Sequence, residues 1–576
     1  MTQQTPASRS DRSPQLVLTY DRYLDNDALL AGLRTLQVAR PDLLTLSELG
    51  RSTEDQPIWL ATVGRGSAAE VQGRPAMWVD GNIHATEFTG AMAALHLVDL
   101  LLAEDRPDGA ADQLLDQVTF YVVPRLNPDG AARAMAASPE LLRSGTRPYP
   151  WDEPRLGLHA ADIDGDGRIL QMRVKDPAGD WQVSTQDPRL MVKRRAFDQG
   201  GSYYRVFAEG RFEGRYDGHL IHPAPALPGL DFNRNFPNGW RPEGEQGGAG
   251  DFPGSEPEIQ AVLRFFAAHR TIFGALTLHT FSRALLRPFS DKADEQMDTT
   301  DLWLYEAIGR RGTDLTGYPA VSVFHHFKYH PKEVISGAFD DWAYCHLGVL
   351  AYTVELWDLP TAAGIAEKNE QKRFIEWFRD HPVTDDEQIL AFVLQQAPEA
   401  LVTWRPYQHP QLGAVEIGGW DGLYSWRNPP AQLLLAEIAP VSLLARDFAT
   451  LAARLTWRDI SATALGPRRH LLRVALENQG YLSTSGSVRG RLSGVARPVQ
   501  LRLELPAGAR LLSGQHLVDL GHIEGRSHRV GLTPGSSPTD NRRVVEWLVE
   551  AGAGDMAQIT VNSDRGGALS GTVTFG

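Results

Sequence analysis

The chain has 576 residues, room for two to four domains at ~150 residues each. Its apolar and charged fractions, 42% and 22%, are those of an ordinary globular protein and exclude a wholly disordered, collagen-like or coiled-coil chain. The 57 Lys and Arg against 71 Asp and Glu leave a net charge of −14, which argues against a broad nucleic-acid-binding face.

The first 290 residues alternate short apolar runs with helical segments, the pattern of a largely parallel sheet covered by helices. Residues 75–80 read as a buried strand and 90–104 as an apolar helix. Residues 118–124 form a second strand, ended by Pro124. Between 138 and 251 the periodicity fails in a stretch rich in Gly, Pro, Asp and Arg, which reads as a surface excursion with small strands of its own. Residues 257–269 read as a helix with Ser255 as a candidate cap. Residues 274–279 and 349–355 are the third and fourth strands, and 367–379 an amphipathic helix. From about 455 onward, short alternating runs (470–476, 499–505, 557–561) lie between Gly, Ser and Pro turns, as in an antiparallel β-sandwich. The expected fold class is α/β: a mostly parallel mixed sheet with helices on both faces, followed by a C-terminal β-sandwich. No flexible linker separates the two, so they are expected to pack closely.

The single cysteine, Cys345, can form no intrachain disulfide, which fits a reducing compartment. No run reaches the ~18 apolar residues of a membrane span. The polar start MTQQTPASRSDRSPQ lacks the apolar segment of a secretory signal. The sequence therefore predicts a cytoplasmic protein with a disordered leader at 1–14, and neither nucleic acid nor membrane as a partner. It carries no signal of oligomeric state.

His84-Ala-Thr-Glu87 follows the 75–80 strand on the turn into the next helix. A bare H-x-x-E is a weak signal, and the chain has a second, His330-Pro-Lys-Glu333, after no clear strand. Position separates them, because ligands of open α/β sheets bind beyond the carboxyl ends of the strands. The other strands end at the same rim in Asn127, His279 and Glu355. Two imidazoles and a carboxylate are a zinc-binding set that leaves a position for water. A further carboxylate can take a proton from that water and pass it on. Taken singly, each has a plain structural reading, a hydrogen-bonded strand-end histidine or a salt-bridged glutamate; their convergence favours the metal.

Asp162-Ile-Asp164-Gly-Asp166-Gly167 places oxygens at positions 1, 3 and 5 and Gly at position 6 of a calcium loop, but Arg173 stands at position 12, where a bidentate carboxylate is expected. It reads either as a Ca2+ site through Asp162, Asp164 and Asp166 or as an Asp- and Gly-rich turn. His325, His326 and His330 read as a pocket-rim loop rather than a second metal cluster, and Trp342 and Tyr344 as core or pocket-wall aromatics.

Seven short segments in order carry a resemblance: His84-x-x-Glu87, Pro124-x-x-Asn127-Pro-Asp-Gly130, Asp231-Phe-Asn233-Arg234-Asn235-Phe236, Gly254-Ser-Glu-Pro-Glu258, Leu278-His279-Thr-Phe-Ser282, Asp341-Trp342-Ala-Tyr344 and Glu355-Leu. Over about residues 17–380 the chain resembles the zinc carboxypeptidases of the carboxypeptidase A type, in an elaborated bacterial form with a C-terminal β-domain. The resemblance implies a catalytic domain at 15–382 with an insertion at 138–251, a connecting segment at 383–457 packed on it, and a sandwich at 458–576. It implies one Zn2+ on His84, Glu87 and His279, with Glu355 as general base and then acid. Asn233 and Arg234 would grip the substrate's free α-carboxylate, a task that suits the two parallel hydrogen bonds of a guanidinium. A second arginine should polarise the scissile carbonyl; Arg143 is the expected one, with Arg147 and Arg194 as rivals. Where the family has a mobile tyrosine an ungapped count finds Glu333, and Tyr329 serves only if the loop is longer by one turn. Asp340 falls at the base of the family's side-chain pocket, where a carboxylate favours a leaving Lys or Arg; its other reading is a helix cap or a solvent-facing acid. The function implied is a metallocarboxypeptidase acting on peptides with a free C-terminus. The alternatives are a zinc amidase or peptidase acting on cell-wall peptides or acylated amino acids, and a non-catalytic binding protein whose sandwich recognises a partner.

Overall fold

Eight strands form one sheet: β1 Leu44–Arg51, β2 Pro57–Val63, β3 Ala76–Gly81, β4 Thr119–Val123, β5 Ile272–Thr280, β6 Ala284–Arg287, β7 Ala320–Ser322 and β8 Leu350–Leu356. Their order in the computed structural model is β1-β2-β4-β3-β5-β8-β6-β7. The structure describes residues 15–107, 109–111, 113–328, 334–528 and 538–576. The expected leader at 1–14 lies outside the described residues.

The central strands β4, β3, β5 and β8 run parallel; on one side β1 and β2 pair antiparallel with their neighbours, and on the other β6 pairs antiparallel with β8 and parallel with β7. Every residue of β3, β4 and β5 is buried, which is why these strands read as apolar runs without alternation. One face of the sheet is covered by α1 (Asn26–Ala39), α2 (Phe88–Glu104), α4 (Thr299–Thr316) and α6 (Leu434–Ala449). The other is covered by α3 (Pro257–Ala268) and α5 (Phe339–Leu347), packed around Trp78, Phe266, Phe339 and Trp342. No helix among the described residues is long and apolar enough to cross a membrane.

The segment between the sheet and the C-terminal strands is more than a connection. Its helix α6 packs on α2 and α4, with Ser442 Oγ 2.8 Å from His96 Nδ1. Its strands Leu401–His409 and Gly413–Trp420 complete a six-stranded sheet begun by the excursion strands Gln171–Lys175, Trp181–Val183, Met191–Lys193 and Tyr203–Ala208.

Two local expectations fail. The amphipathic 367–379 stretch forms two short helices, Glu367–Glu370 and Glu376–Arg379, interrupted at Lys372, whose φ is 57°. Lys368 is drawn inward to Asp358 at 2.9 Å, both side chains fully buried, and Asn369 Nδ2 donates to the Ser282 carbonyl at 3.2 Å. The segment is thereby folded over the strand ends instead of continuing as a helix. Ser255 does not cap α3 either: the cap residue is Glu256, Pro257 occupies the first turn and needs no N–H partner, and Ser255 Oγ donates to Glu256 Oε1 at 2.6 Å.

Beyond α6, eight antiparallel strands form two four-stranded sheets that enclose Leu472, Val474, Leu501, Trp547, Ile559 and Val561. They are bolted to the eight-stranded sheet and its helices by buried polar contacts. Arg565, 1% exposed, donates to the carbonyls of Leu347 (2.7 Å) and Gly348 (2.9 Å) beyond α5 and of Ser485 (2.8 Å) within its own half. Asp301 on α4 accepts from the backbone N–H groups of Val488 and Arg489 at 2.8 and 2.9 Å. Arg565→Ala strands several buried carbonyls, so it should lower the free energy of the first unfolding transition by about 3 kcal/mol. Denaturant unfolding followed by tryptophan fluorescence checks this, and an unchanged midpoint contradicts it.

Candidate active site

The chain leaves β3 at Gly81 and turns through Asn82, a residue type that tolerates the left-handed φ of 57° found there. Asn82 Nδ2 donates to the carbonyls of His84 (2.6 Å) and Ala85 (3.3 Å), and its Oδ1 accepts from Arg125 Nε at 2.9 Å. The first turn of α2 then lies hard against the sheet. A Cβ on Gly90 would meet the Leu278 carbonyl oxygen at 2.4 Å, and one on Gly81 the Gly90 backbone at 2.5 Å. Glu87 sits just ahead of α2 with its carboxylate at the end of β5, where Thr280 N donates to Oε2 at 3.1 Å.

Three donors converge there. His84 Nδ1 is 3.0 Å from Glu87 Oε1, His279 Nδ1 is 3.1 Å from Glu87 Oε2, and the two Nδ1 atoms are 3.0 Å apart. All three residues are almost fully buried. Ligands of a tetrahedral zinc at about 2.0–2.1 Å lie roughly 3.3 Å from one another, so this triangle fits the ion with little adjustment. The outward nitrogens are held as well: His84 Nε2 is 3.0 Å from Asp231 Oδ1, and His279 Nε2 is 3.4 Å from Thr277 Oγ1. Holding one ring nitrogen from behind aims the other at the metal. Burial pushes the Glu87 and Asp231 carboxyls upward. The two histidines outweigh it at Glu87, and Arg143, Arg234 and His84 do so at Asp231, so both stay well below the usual carboxylate range.

Glu355 stands opposite His279 in the β5/β8 register. Burial raises its carboxyl to about 7, against the attraction of His279, Arg143 and Arg427 and with the repulsion of Glu87. Arg143 is carried on a loop tied to the metal turn by Ala85 N donating to the Arg143 carbonyl at 2.9 Å. Its Nη1 lies 3.2 Å from Glu87 Oε1 and its Nε 3.0 Å from Asp231 Oδ2. The rivals lie elsewhere: Arg147 pairs with Glu256 at 2.7 Å and Asp251 at 3.0 Å, and Arg194 stacks over Tyr203 in the excursion. Asn233 and Arg234 form a single 3-10 turn started by Asp231, whose Oδ1 accepts from Asn233 N. Asn233 Oδ1 accepts from Phe339 N at 2.9 Å, which leaves its amide N–H groups as donors. Glu87, Arg143, Asp231, Arg234 and Glu355 line one cavity of about 450 Å3, walled by Phe281, Phe327, Phe374 and Phe378.

Asp340 lies in the first turn of α5, 2% exposed. It neither faces solvent nor caps the helix, whose cap residue is Ala338. Its Oδ1 accepts from Asp341 N, and its Oδ2 has no hydrogen-bond partner among the described residues. Burial pushes its carboxyl up to about 6, opposed by His279 and Arg234. Asn127 is buried at the rim but works as a cap: its Oδ1 accepts from Gly130 N at 2.9 Å and its Nδ2 donates to the Ser144 carbonyl at 2.8 Å. Tyr329, His330 and Glu333 lie outside the described residues. His325 and His326 end a short helix, Val323–His326, where His326 Nε2 is 3.3 Å from Lys372 Nζ.

The carboxylates of Asp162, Asp164 and Asp166 do approach one another. They are spent on the turn itself: Asp162 accepts from Gly165 N and Gly167 N, and Arg405 Nη2 lies 3.0 and 3.1 Å from Asp164 and Asp166. Arg173, at the position expected to supply a carboxylate, pairs with Glu416 at 2.9 Å.

Sequence reasoning missed Arg427, which lines the cavity from a turn, Leu423–Arg427, far beyond the strand ends. It gave Asp231 no role beyond its motif. No periodicity marks Arg427, and only the fold brings it to Glu87.

Two imidazoles and a carboxylate at the carboxyl ends of a mixed sheet, beside a free carboxyl and several guanidiniums, define a site of the metallohydrolase class. The chain belongs to the zinc carboxypeptidase family, whose sequence profile matches residues 29–374. A profile for a domain of unknown function matches 454–574. Among curated proteins, carboxypeptidase A6 of Mus musculus is 24% identical over 348 residues, 59% of this chain and 61% of that protein, so the chain spans about three-fifths of that relative. Carboxypeptidase B of Astacus astacus is 23% identical over 363 residues, 61% of this chain and 92% of that one. Among solved structures, a carboxypeptidase A from Helicoverpa armigera matches with a TM-score of 0.37 and 17% identity, over 66% of this chain and 76% of that one.

The contact at Gly90 generates a prediction. Gly90→Ala pushes a methyl group against a backbone carbonyl, and should cost about 1–3 kcal/mol of stability and loosen the metal turn. Thermal unfolding with and without zinc, together with zinc content after dialysis against a chelator, reads both effects. A variant as stable and as zinc-retentive as the parent contradicts the packing described.

Proposed function

We propose that this protein is a zinc metallocarboxypeptidase that removes single residues from the C-termini of peptides. The observation that carries the proposal is the convergence of the His84, Glu87 and His279 donors at the edge of a cavity that Glu87, Arg143, Arg234 and Glu355 line, with Asn233 beside Arg234 in the same 3-10 turn. Zinc held by His84, Glu87 and His279 supplies Lewis-acid polarisation of the scissile carbonyl and makes water acidic enough to deprotonate near neutral pH. Arg234, helped by the Asn233 amide, takes the substrate's free carboxylate and fixes which bond lies over the donors. Arg143 donates to the carbonyl oxygen as negative charge develops on it. Glu355, whose carboxyl is raised toward neutrality, accepts the proton of the attacking water and delivers it to the leaving amine.

The finer proposal is a preference for Lys or Arg as the leaving residue. It is supported by the unpartnered Oδ2 of Asp340, a buried carboxyl oxygen within the electrostatic reach of Arg234 and His279. An ammonium or guanidinium from the substrate would satisfy it.

Two outcomes test these readings. Glu355→Gln should retain zinc, measured by metal content, while turnover falls by about a thousandfold or more; near-normal turnover refutes the mechanism. For the preference, the Lys-to-Leu ratio of kcat/KM should be about tenfold. Because Asp340 is neutral below its raised value of about 6 and ionised above it, the ratio should climb as pH rises through that value. Asp340→Asn should flatten the climb, and a ratio indifferent to both pH and this substitution refutes the preference.

A further inference from the structure

Two residues with bulky side chains hold left-handed backbone beside the site, Arg283 with a φ of 49° and Trp357 with a φ of 63°. Such a φ is strained for large side chains and persists only where the surroundings hold it. Both residues lie just past strands that deliver the chemistry. Trp357 is the first residue beyond β8, two after Glu355, and Arg283 stands between β5 and β6, four after His279. The two segments meet there. Ser282 N donates to the Trp357 carbonyl at 2.8 Å, and the Arg283 guanidinium lies 5.5 Å from the centre of a Trp357 ring. In the β6/β8 pairing Ala284 stands opposite Glu355, so Arg283 adjoins the residue beside Glu355 on the next strand. Phe281, Ser282 and Glu355 all line the cavity from this meeting point.

Glu437, buried in the first turn of α6, holds both strained residues. Its Oε1 accepts from Trp357 N at 2.8 Å and from Arg283 Nε at 3.2 Å, and its Oε2 accepts from Arg283 Nη2. The Tyr318 hydroxyl, ahead of β7, donates to Oε1 as well. One carboxylate thus takes a backbone N–H from the chain leaving β8 and a two-pronged guanidinium from the chain entering β6, and paired charge-assisted bonds of this kind are the strong ones. Burial alone would lower the Arg283 guanidinium, and Glu437 more than reverses that. A second bond ties Trp357 to the same part of the chain, its indole Nε1 donating to the Ser425 carbonyl at 2.7 Å. Glu437 is not among the residues that line the cavity, so it acts through those it holds.

We propose that Glu437 is a positioning residue for the reaction: its carboxylate locks Arg283 against Trp357 and so fixes the Glu355 carboxyl and the Phe281–Ser282 wall relative to the metal donors. The proposal rests on the carboxypeptidase reading and deepens it. Without the carboxylate the two left-handed residues are free to relax, and a shift of about 1 Å at a proton-transfer group costs on the order of a hundredfold in rate. Arg234 and Asn233, carried on a different segment, keep their hold on the substrate, so the loss falls on kcat and not on KM.

The test uses the zinc-loaded full chain and a free-acid peptide, with every variant assayed well below its own thermal midpoint. Glu437→Gln keeps an acceptor for the Trp357 N–H but loses the charge that pairs Arg283, and kcat should fall about tenfold; Glu437→Ala removes both, and kcat should fall about a hundredfold. KM and zinc content should stay within about twofold of the parent in each. Arg283→Gln should lose as much as Glu437→Gln, and the double variant no more, because all three break one contact. Ser442→Ala, which removes the hydrogen bond to His96 from the same helix, is the control: its thermal midpoint should fall while kcat stays. An unchanged kcat in Glu437→Gln and Arg283→Gln overturns the proposal. So do losses that multiply in the double variant, losses that appear in KM or zinc content, and a loss shared by Ser442→Ala, which would trace them to a loosened helix. Should Glu437→Ala fail to fold, the two Gln variants and their double decide. Release of residues at a rate indifferent to Glu437 leaves the carboxypeptidase reading intact, whereas release of no residue by the parent overturns that reading and this one with it.

Discussion

The site depends on one contact, the approach of the first turn of α2 to the end of β5. Neighbouring parallel strands lie about 4.8 Å apart, so β3 and β5 bring two histidines to the same edge without further device. A third donor must come from between them. Gly81 and Gly90 let the helix backbone close onto Leu278 where any Cβ would collide, and that places Glu87 under the Thr280 N–H and between the rings. At the start of the helix, a carboxylate is also favoured by the N-terminal end of the dipole. Because Glu87 makes no capping bond to its own helix, both its oxygens face the histidines.

Once the donors are fixed, the rest of the cavity follows as charge compensation. Asp231 braces His84 and is in turn held by Arg143; Arg234 sits one turn further along the same segment. A buried ion is tolerable only when its partner is close and its remaining hydrogen bonds are made. Here each carboxylate has at least one cationic neighbour, except where an oxygen is left open at Asp340. The aromatic wall from 374 to 378 is held in place by the wholly buried Lys368–Asp358 pair, so the side of the cavity away from the metal is as firmly built as the donor side.

Much of this was legible in the sequence. The apolar runs of β3, β4, β5 and β8 gave away a sheet buried on both faces, and His84, Glu87, His279 and Glu355 could be read as the polar stops at its edge. What could not be read lacks a local trace. Asn428 bonds to Thr89, 339 positions away, and Arg427 comes to Glu87 from as far along the chain, through contacts that no periodicity records. The strands at 401–420 alternate like any edge hairpin, and nothing in them names the excursion as their partner. The 367–379 stretch has a helical apolar stripe, but Phe374 and Phe378 use it to wall a cavity, and the inward pull of Lys368 and Asn369 breaks the helix.

The central claim is that the cavity reads a free carboxylate through Arg234 and Asn233 and thereby selects the last peptide bond. The most direct measurement is mass spectrometry of products from a free-acid peptide and its C-terminal amide, each incubated with the zinc-loaded protein. The account predicts stepwise loss of single residues from the acid, and a rate at least about a hundredfold lower for the amide, which leaves the buried guanidinium without its anion. Equal cleavage of the two peptides, or cleavage at internal bonds, would contradict it.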